Sequence, residues 1–378
     1  MWSILIKTFL CYLAFFSRFG YNARKCRGGI KVNPSIKDVA RLSGTSISTV
    51  SNALSGSRNV SPELRERVLR AAAELGYTVN PIARNLKSGR SDTVLVVIAD
   101  INCIFFAPLL KGVERVLSEA GYAITICDAN FSQRRVIEAI RRMRGQRAKG
   151  VIVSGMSGDE CTQFYHQYVS EGDMRETPVV NVEDDLSAVG IDSVFIDNYE
   201  AAYQATSHLI ELGCRRILHI AGQSGVSRLR LRGYADALAA HGIDADEGLI
   251  RTGTMMPVSG CEATRETLRR SVKIDGVFAA NDQMAVGALR ALSGASIEVP
   301  DAVKVVGFDN TFISSIVDPA LTTVSVPTYE MGKQAARLLL ERISEPEPAA
   351  RAVRMDYELI IRRSTVRTAR TNWEMEYW

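Results

Sequence analysis

At 378 residues, 46% of them hydrophobic, the chain is long enough for two or three domains with sizeable cores, which excludes a disordered or fibrous protein. Its net charge of +4 is unevenly spread: residues 1–35 carry six basic and no acidic groups, residues 36–90 nine basic and four acidic, and residues 91–378 sum to −7. Seven cysteines without a C-x-x-C pair and four scattered histidines give neither a disulfide framework nor a zinc site, so the cysteines read as reduced and mostly buried, in a cytoplasmic protein.

A basic front on an acidic remainder suits a polyanion-binding module joined to a part that avoids polyanions. The chain opens on MWSILIKTFLCYLAFFSRFG, an apolar run followed by Arg18, Arg24, Lys25 and Arg27, whereas the charge of a signal peptide precedes its core. Residues 1–34 are read as an extension. The expectation is that residues 1–31 are not part of the working protein and that translation starts near Val32; a membrane tether is the competing reading.

The first compact unit is expected over residues 35–80. Ser35 followed by Asp38 is a helix-start arrangement, and Ile36, Val39 and Ala40 form one inward stripe. Gly44 supplies a turn, Ser46 caps a second helix, and Val50 and Leu54 point back at the first: a helix-turn-helix. A third helix follows, with Ser61 as cap, Pro62 at its first position, Leu64, Val68, Leu69, Ala72 and Leu75 inward and Gly76 as stop. The second helix presents Ile47, Ser48, Ser51 and Asn52 outward, with Thr49 near its start. That set suits base edges and phosphates in a DNA major groove, the alternative being a helical hairpin for protein contacts.

Residues 81–91 are read as a hinge helix and linker. Asn80 caps it, Pro81 opens it, and Leu86 stands among Arg84, Asn85, Lys87 and Arg90. This pattern suits an apolar wedge in a minor groove with basic groups on phosphates, and a helix this short needs a partner to form.

Over residues 92–365, apolar runs alternate with amphipathic helices in two series. The first holds TVLVVIAD, YAITICDA, GVIVSG and TPVVNVE; the second holds SVFID, RRILHIAG, GVFAAND and VKVVGFDN. Two α/β lobes with parallel sheets follow. Asp100, Asp128, Asn281, Asp282 and Asp309 fall at carboxyl ends of strands, where such sheets gather ligands, and a cleft of carboxylates and amides suits a hydroxyl-rich small molecule. Asp282 also reads as a helix cap, and Cys103, near the cleft, as core packing.

IKDVARLSGTSISTVSNALSG, VSPELRERVLRAAAELGY, NPIARNLKSG and TVLVVIADI, in this order and spacing, resemble the LacI/GalR family of bacterial transcription regulators over about residues 35–365. The resemblance implies an all-α helix-turn-helix head and a two-lobed body similar to periplasmic sugar-binding proteins. Ile47, Ser48 and Asn52 are then base readers, Thr49 and Ser51 phosphate contacts, and Leu86 the leucine that paired hinge helices insert at the centre of a palindromic operator. Asn52 stands where the family usually has Arg. The resemblance also places Phe105, Phe106, Arg230, Met255 and Asp282 at effector positions, and Asp128 joins them from its strand end; Cys103-Ile104 and Met255 depart from the usual pocket.

The partners implied are palindromic operator DNA, a small-molecule effector that is a sugar or related polar metabolite, and a second copy of the chain, with no membrane and no cofactor. The tail, residues 366–378, has no leucine heptads, so assembly is expected to stop at a dimer. G-x-G-x-x-G, G-x-S-x-G, P-loop and H-E-x-x-H patterns are missing, so a repressor without enzymatic activity is expected, the rival being a periplasmic-type sugar receptor.

Overall fold

The computed structural model describes residues 34–54, 60–77, 91–155, 159–223, 225–346 and 349–370. Residues 1–33 of the extension, the hinge positions Asn80, Arg84, Asn85, Leu86 and Lys87, and residues 371–378 lie outside them. The chain divides into two compact units, residues 1–87 and 88–378.

The first unit holds α1 (Ile36–Ser43), α2 (Ile47–Leu54) and α3 (Pro62–Leu75). Local chemistry sets each boundary. The Ser35 N–H and Oγ–H both donate to Asp38 Oδ2, at 3.0 and 2.7 Å, and hold that carboxyl below its usual range. Gly44 turns the chain at φ 61°, in the left-handed region that a Cβ disfavours. Ser46 Oγ accepts from Thr49 N–H at 3.0 Å, and Ser61 Oγ accepts from Leu64 N–H at 3.4 Å. Val39, Val50 and Val68, one from each helix, are fully buried together, and Arg67 on α3 donates to the Ser43 carbonyl at 2.6 Å, which fixes the turn between α1 and α2. One expected core position fails: Leu69 is 50% exposed, and the smaller Ala71 takes the inward place where α3 meets its neighbours.

The second unit runs β1 (Thr93–Ile98), α4 (Phe106–Glu119), β2 (Ala123–Asp128), α5 (Gln133–Gly145), β3 (Gly150–Ser154), α6 (Asp159–Ser170), α7 (Asp173–Glu176), β4 (Val179–Val182), β5 (Asp192–Phe195) and α8 (Asn198–Glu211). It continues with β6 (Ile217–Ala221), α9 (Gly225–Ala240), β7 (Ile250–Thr252), α10 (Pro257–Arg269), β8 (Gly276–Ala279), α11 (Asp282–Gly294), β9 (Lys304–Asp309) and α12 (Phe312–Ile316). The last elements are β10 (Thr322–Ser325), α13 (Thr328–Ser344), β11 (Ala352–Arg354) and β12 (Glu358–Ile360). Two six-stranded sheets form, in the orders β11-β5-β4-β3-β1-β2 and β12-β10-β9-β8-β6-β7. Each is parallel except for β12, which runs antiparallel to β10 at the edge of the second sheet.

The strand in SVFID, expected in the second series, belongs to the first sheet. β5 pairs with β4 through Val180 and Asp192, and the buried Asp192 carboxylate receives a bidentate pair of bonds from Arg342 on α13, at 2.9 and 2.7 Å. α13 is the helix by which the chain returns to the first lobe, where β11 then extends β5. The chain thus crosses between lobes three times, after β5, after β10 and between β11 and β12. Helices approach very closely where they cross: a Cβ at Gly287 on α11 would stand 1.9 Å from the Pro257 carbonyl on α10. Among the described residues, no helix is long and apolar enough to span a membrane.

Candidate functional site

On the first unit, Ile47, Ser48 and Asn52 are exposed on one side of α2, Ile47 by 45%, while Val50 and Ala53 of the same helix are buried. Thr49 and Ser51 are half-buried. The hydroxyls of Ser48 and Thr49 lie 2.7 and 2.8 Å from Ser46 Oγ, so the amino-terminal turn of α2 carries a cluster of three hydroxyls beside an exposed isoleucine. Hydroxyls and backbone N–H groups at a helix start suit phosphate oxygens, and a projecting isoleucine suits a thymine methyl.

In the second unit, a cavity of about 20 Å³ lies between the lobes. Its walls carry Phe105 and Phe106 from the start of α4, Arg230 from α9, Met255, and the carboxylates of Glu183 and Asp309. Phe105 and Phe106 meet edge to face, with centroids 5.3 Å apart. Arg230 is 3% exposed, donates from Nε to Asn198 Oδ1 at 2.9 Å and from a terminal nitrogen to the Ala280 carbonyl at 2.5 Å, and sits 3.6 Å above the Phe308 ring and 3.6 Å from Asp309 Oδ1.

Burial lifts the Glu183 carboxyl to about 7 against the opposing pull of Arg230. It lifts Asp184 to about 6 and pushes Asp309 up as well, while the Arg230 guanidinium is pushed down by its own burial. Three wall residues have left-handed backbones: Glu183 at φ 91°, Asp309 at 102° and Met255 at 66°. For Glu and Met such backbones cost of order 1–3 kcal/mol and are retained where surrounding structure imposes them. Here Asn281 does part of that work, capping α11 through Oδ1 on Met284 N–H while its Nδ2 donates to the Met255 carbonyl, both at 2.9 Å.

Four of the six effector positions expected from the sequence therefore meet at this cavity: Phe105, Phe106, Arg230 and Met255. Asp282 does not line it. Its carboxylate, fully buried and lifted to about 6 by that burial, accepts from Thr311 N–H at 2.6 Å, Thr311 Oγ1 at 2.9 Å and Thr323 Oγ1 at 2.6 Å, and so ties α11 to the start of α12 and to β10. Asp128 does not line it either. It is exposed at the end of the edge strand β2, accepts from Asn130 N–H at 3.0 Å, and borders a separate surface hollow with Arg135 and Arg142.

Asp309 is a strand-end acid in the sequence but not one of the six expected effector positions, and Glu183, the first residue beyond β4, carries no sequence signal that points to the cavity. Cys103 on the wall is 6% exposed, with its thiol pushed up by burial, which makes it a packed side chain of low reactivity. A second hollow, of about 400 Å³, shares Glu183 and adds Asp184, Asp185, Arg228 and Tyr199.

A helix-turn-helix unit whose second helix exposes a largely polar face, on one chain with a two-lobed α/β body that holds a charged cavity, defines a DNA-binding regulator built around a binding-protein body. Comparison with known proteins carries this to a family. The description "Bacterial regulatory proteins, lacI family" matches residues 35–80 and "Periplasmic binding protein-like domain" residues 206–365.

Catabolite control protein A of Priestia megaterium is 32% identical over 337 residues, spanning 88% of this chain and 100% of that protein. The HTH-type transcriptional regulator CelR of Thermobifida fusca is 37% identical over 348 residues, spanning 88% and 98%. Among solved structures, the CelR–cellobiose complex covers 88% of this chain and 99% of its own with TM-score 0.63 and 34% identity. The lac repressor dimer bound to operator covers the same shares with TM-score 0.77 and 25% identity. The chain belongs to the LacI family of bacterial regulatory proteins and is a DNA-binding transcriptional regulator.

Proposed function

We propose that this regulator is a repressor that works as a homodimer in the cytoplasm, reads a palindromic operator through Ile47, Ser48 and Asn52, and responds to a sugar or related polyhydroxy metabolite between the lobes of its body. Thr49 and Ser51, with Asn80, Arg84, Asn85 and Lys87 of the hinge, serve as backbone contacts in this reading, and Leu86 as the minor-groove wedge. Binding alone accounts for the activity, with no catalytic step.

The observation that carries the ligand half is the grouping of Arg230, Glu183 and Asp309 with two aromatic rings in one interlobe cavity. Carboxylates accept from sugar hydroxyls, the guanidinium donates to ring and hydroxyl oxygens, and aromatic faces cover the C–H surface of a pyranose. The relatives support it: the CelR structure holds cellobiose, and the lac repressor structure is a dimer on its operator. The cavity as it stands, about 20 Å³, has room for about one water, so a sugar enters only when the lobes part.

The test is selection of bound sites from random DNA by the purified full chain, repeated with a panel of mono- and disaccharides. A two-fold symmetric site whose occupancy one sugar changes supports the reading. Retention that is insensitive to sequence, or a symmetric site that no sugar affects, refutes the DNA or the ligand half respectively.

A further inference from the structure

We infer that Gln283 is the clasp that holds the two lobes together beside the cavity, a positioning residue that sets how readily the cleft opens. The inference rests on the reading of the cleft as a ligand site, and it adds the element that governs access to it.

Gln283 stands in the first turn of α11, in the second lobe, and is 6% exposed. Its Oε1 accepts from the backbone N–H of Ile104 at 3.0 Å, and its Nε2 donates toward the Asn102 carbonyl at 3.4 Å. Both partners belong to the loop between β1 and α4, in the first lobe, 179 and 181 residues away in the chain. The contact is next to the ligand walls on both sides: Asn102 and Ile104 flank Cys103, which lines the cavity with Phe105, and Nε2 also lies 3.8 Å from the sulfur of Met256, the neighbour of Met255.

Both halves of the clasp are tied into their own lobes by further hydrogen bonds. Asp282, the residue before Gln283, is fixed by its three hydrogen bonds to Thr311 and Thr323, and Asn281 caps the helix. On the facing loop, Asp100 Oδ1 accepts from Asn102 N–H at 2.8 Å and from its Nδ2 at 2.9 Å, and the Asp100 carbonyl accepts from Cys103 N–H at 3.0 Å. A side-chain amide that bridges two such anchored segments resists separation of the lobes.

The Ile104 N–H lies just ahead of α4, where helix geometry provides no carbonyl partner, so closure satisfies a donor that opening hands to water. Exchange of protein partners for water makes the net effect modest, a bias toward the closed cleft of roughly 5- to 10-fold. That size suits a switch, because a ligand shifts an equilibrium only by its preference for one state over the other.

The test uses Cys103 as a reporter within the full chain. Iodoacetamide modification is followed by peptide mass spectrometry, with Cys161 and Cys214, each 1% exposed within its own lobe, as internal controls. Gln283→Met keeps the length and removes both hydrogen bonds; Gln283→Leu removes them with a branched apolar side chain and likewise adds no charge. Cys103 is expected to react roughly 5- to 10-fold faster in both variants, with Cys161 and Cys214 unchanged. A Cys103 rate within twofold of wild type in Gln283→Met overturns the clasp, and so does a parallel rise of all three cysteines in both variants, which would make Gln283 a general stabiliser of the fold. The measurement needs no ligand, so a sugar panel that fails to alter Cys103 reactivity counts against the ligand reading and leaves the clasp standing.

Discussion

Replacing Glu183 by Gln is expected to stabilise the body at pH 8 and to change little at pH 5. In the folded protein burial lifts this carboxyl to about 7, from an ordinary 4.5, even though Arg230 and the Ser154 hydroxyl, 3.0 Å from Oε2, both favour its charge. Between these two pH values the folded state keeps a proton that the unfolded chain has released. Stability is therefore full below about pH 4.5 and is lost as pH rises through about 7. At 1.36 kcal/mol per pH unit the gap is worth about 3 kcal/mol at pH 8, and about 2 kcal/mol after allowance for the partial exposure of the side chain.

Gln accepts from Ser154 as Glu does and carries no charge to desolvate. Asp184 and Asp282, both lifted to about 6 by burial, act in the same sense, so the variant keeps part of the slope. The assay is urea unfolding of the body, followed by circular dichroism from pH 5 to pH 8 at fixed ionic strength. Parallel stability curves for wild type and variant, or a variant less stable than wild type at pH 8, would refute the argument.

Asp282→Ala leaves Thr311 N–H and two threonine hydroxyls without their acceptor in the interior, and thermal melts should show the body losing about 3 kcal/mol. Arg342→Met takes the bidentate partner from the Asp192 carboxylate, which is 0% exposed and keeps only the Arg351 backbone N–H at 2.8 Å and its guanidinium at 3.8 Å, and is expected to cost about 3 kcal/mol by urea titration, whereas exposed pairs such as Arg70–Glu66 should be nearly neutral to mutation. Gly287→Ala drives a methyl into the Pro257 carbonyl and should cost about 1–3 kcal/mol in the same titration, although alanine is the better helix former. Asn52→Ala should change the preferred base at one operator position in site selection and leave the salt dependence of binding unaltered.

The head was legible in sequence because its signals are local. Ser35 with Asp38, Gly44, Ser61 and Gly76 act within a turn or two of the chain, and each stands where the pattern put it. Leu69 departs from its expected inward place because periodicity defines a stripe wider than the contact: α3 meets two short helices, and small Ala71 and Ala72 let them come close while Leu69 stays at the rim. In the body, most strands announced themselves as apolar runs. Their membership of a lobe did not, since SVFID is assigned to its sheet by pairing with β4 and by a buried ion pair to a residue 150 positions on.

The same long-range dependence decided which acids reach the cavity. Asp128 and Asp309 each end a parallel strand followed by a turn, and in sequence they are equivalent. β2 is the outermost strand of its sheet, so Asp128 ends beside solvent, whereas β9 has β8 and β10 on its flanks, and Asp309 is 5% exposed against Arg230. Ligands gather at the carboxyl ends of inner strands near a change in strand order, and a strand's rank depends on partners tens of residues away. Glu183 adds a second obstacle. A residue straight after a strand is expected to continue outward, but its φ of 91° folds the side chain back onto Ser154 and the cavity. There the Gly155 N–H and the Ser154 hydroxyl hold the carboxylate and Arg230 faces it, partners that come from other parts of the chain.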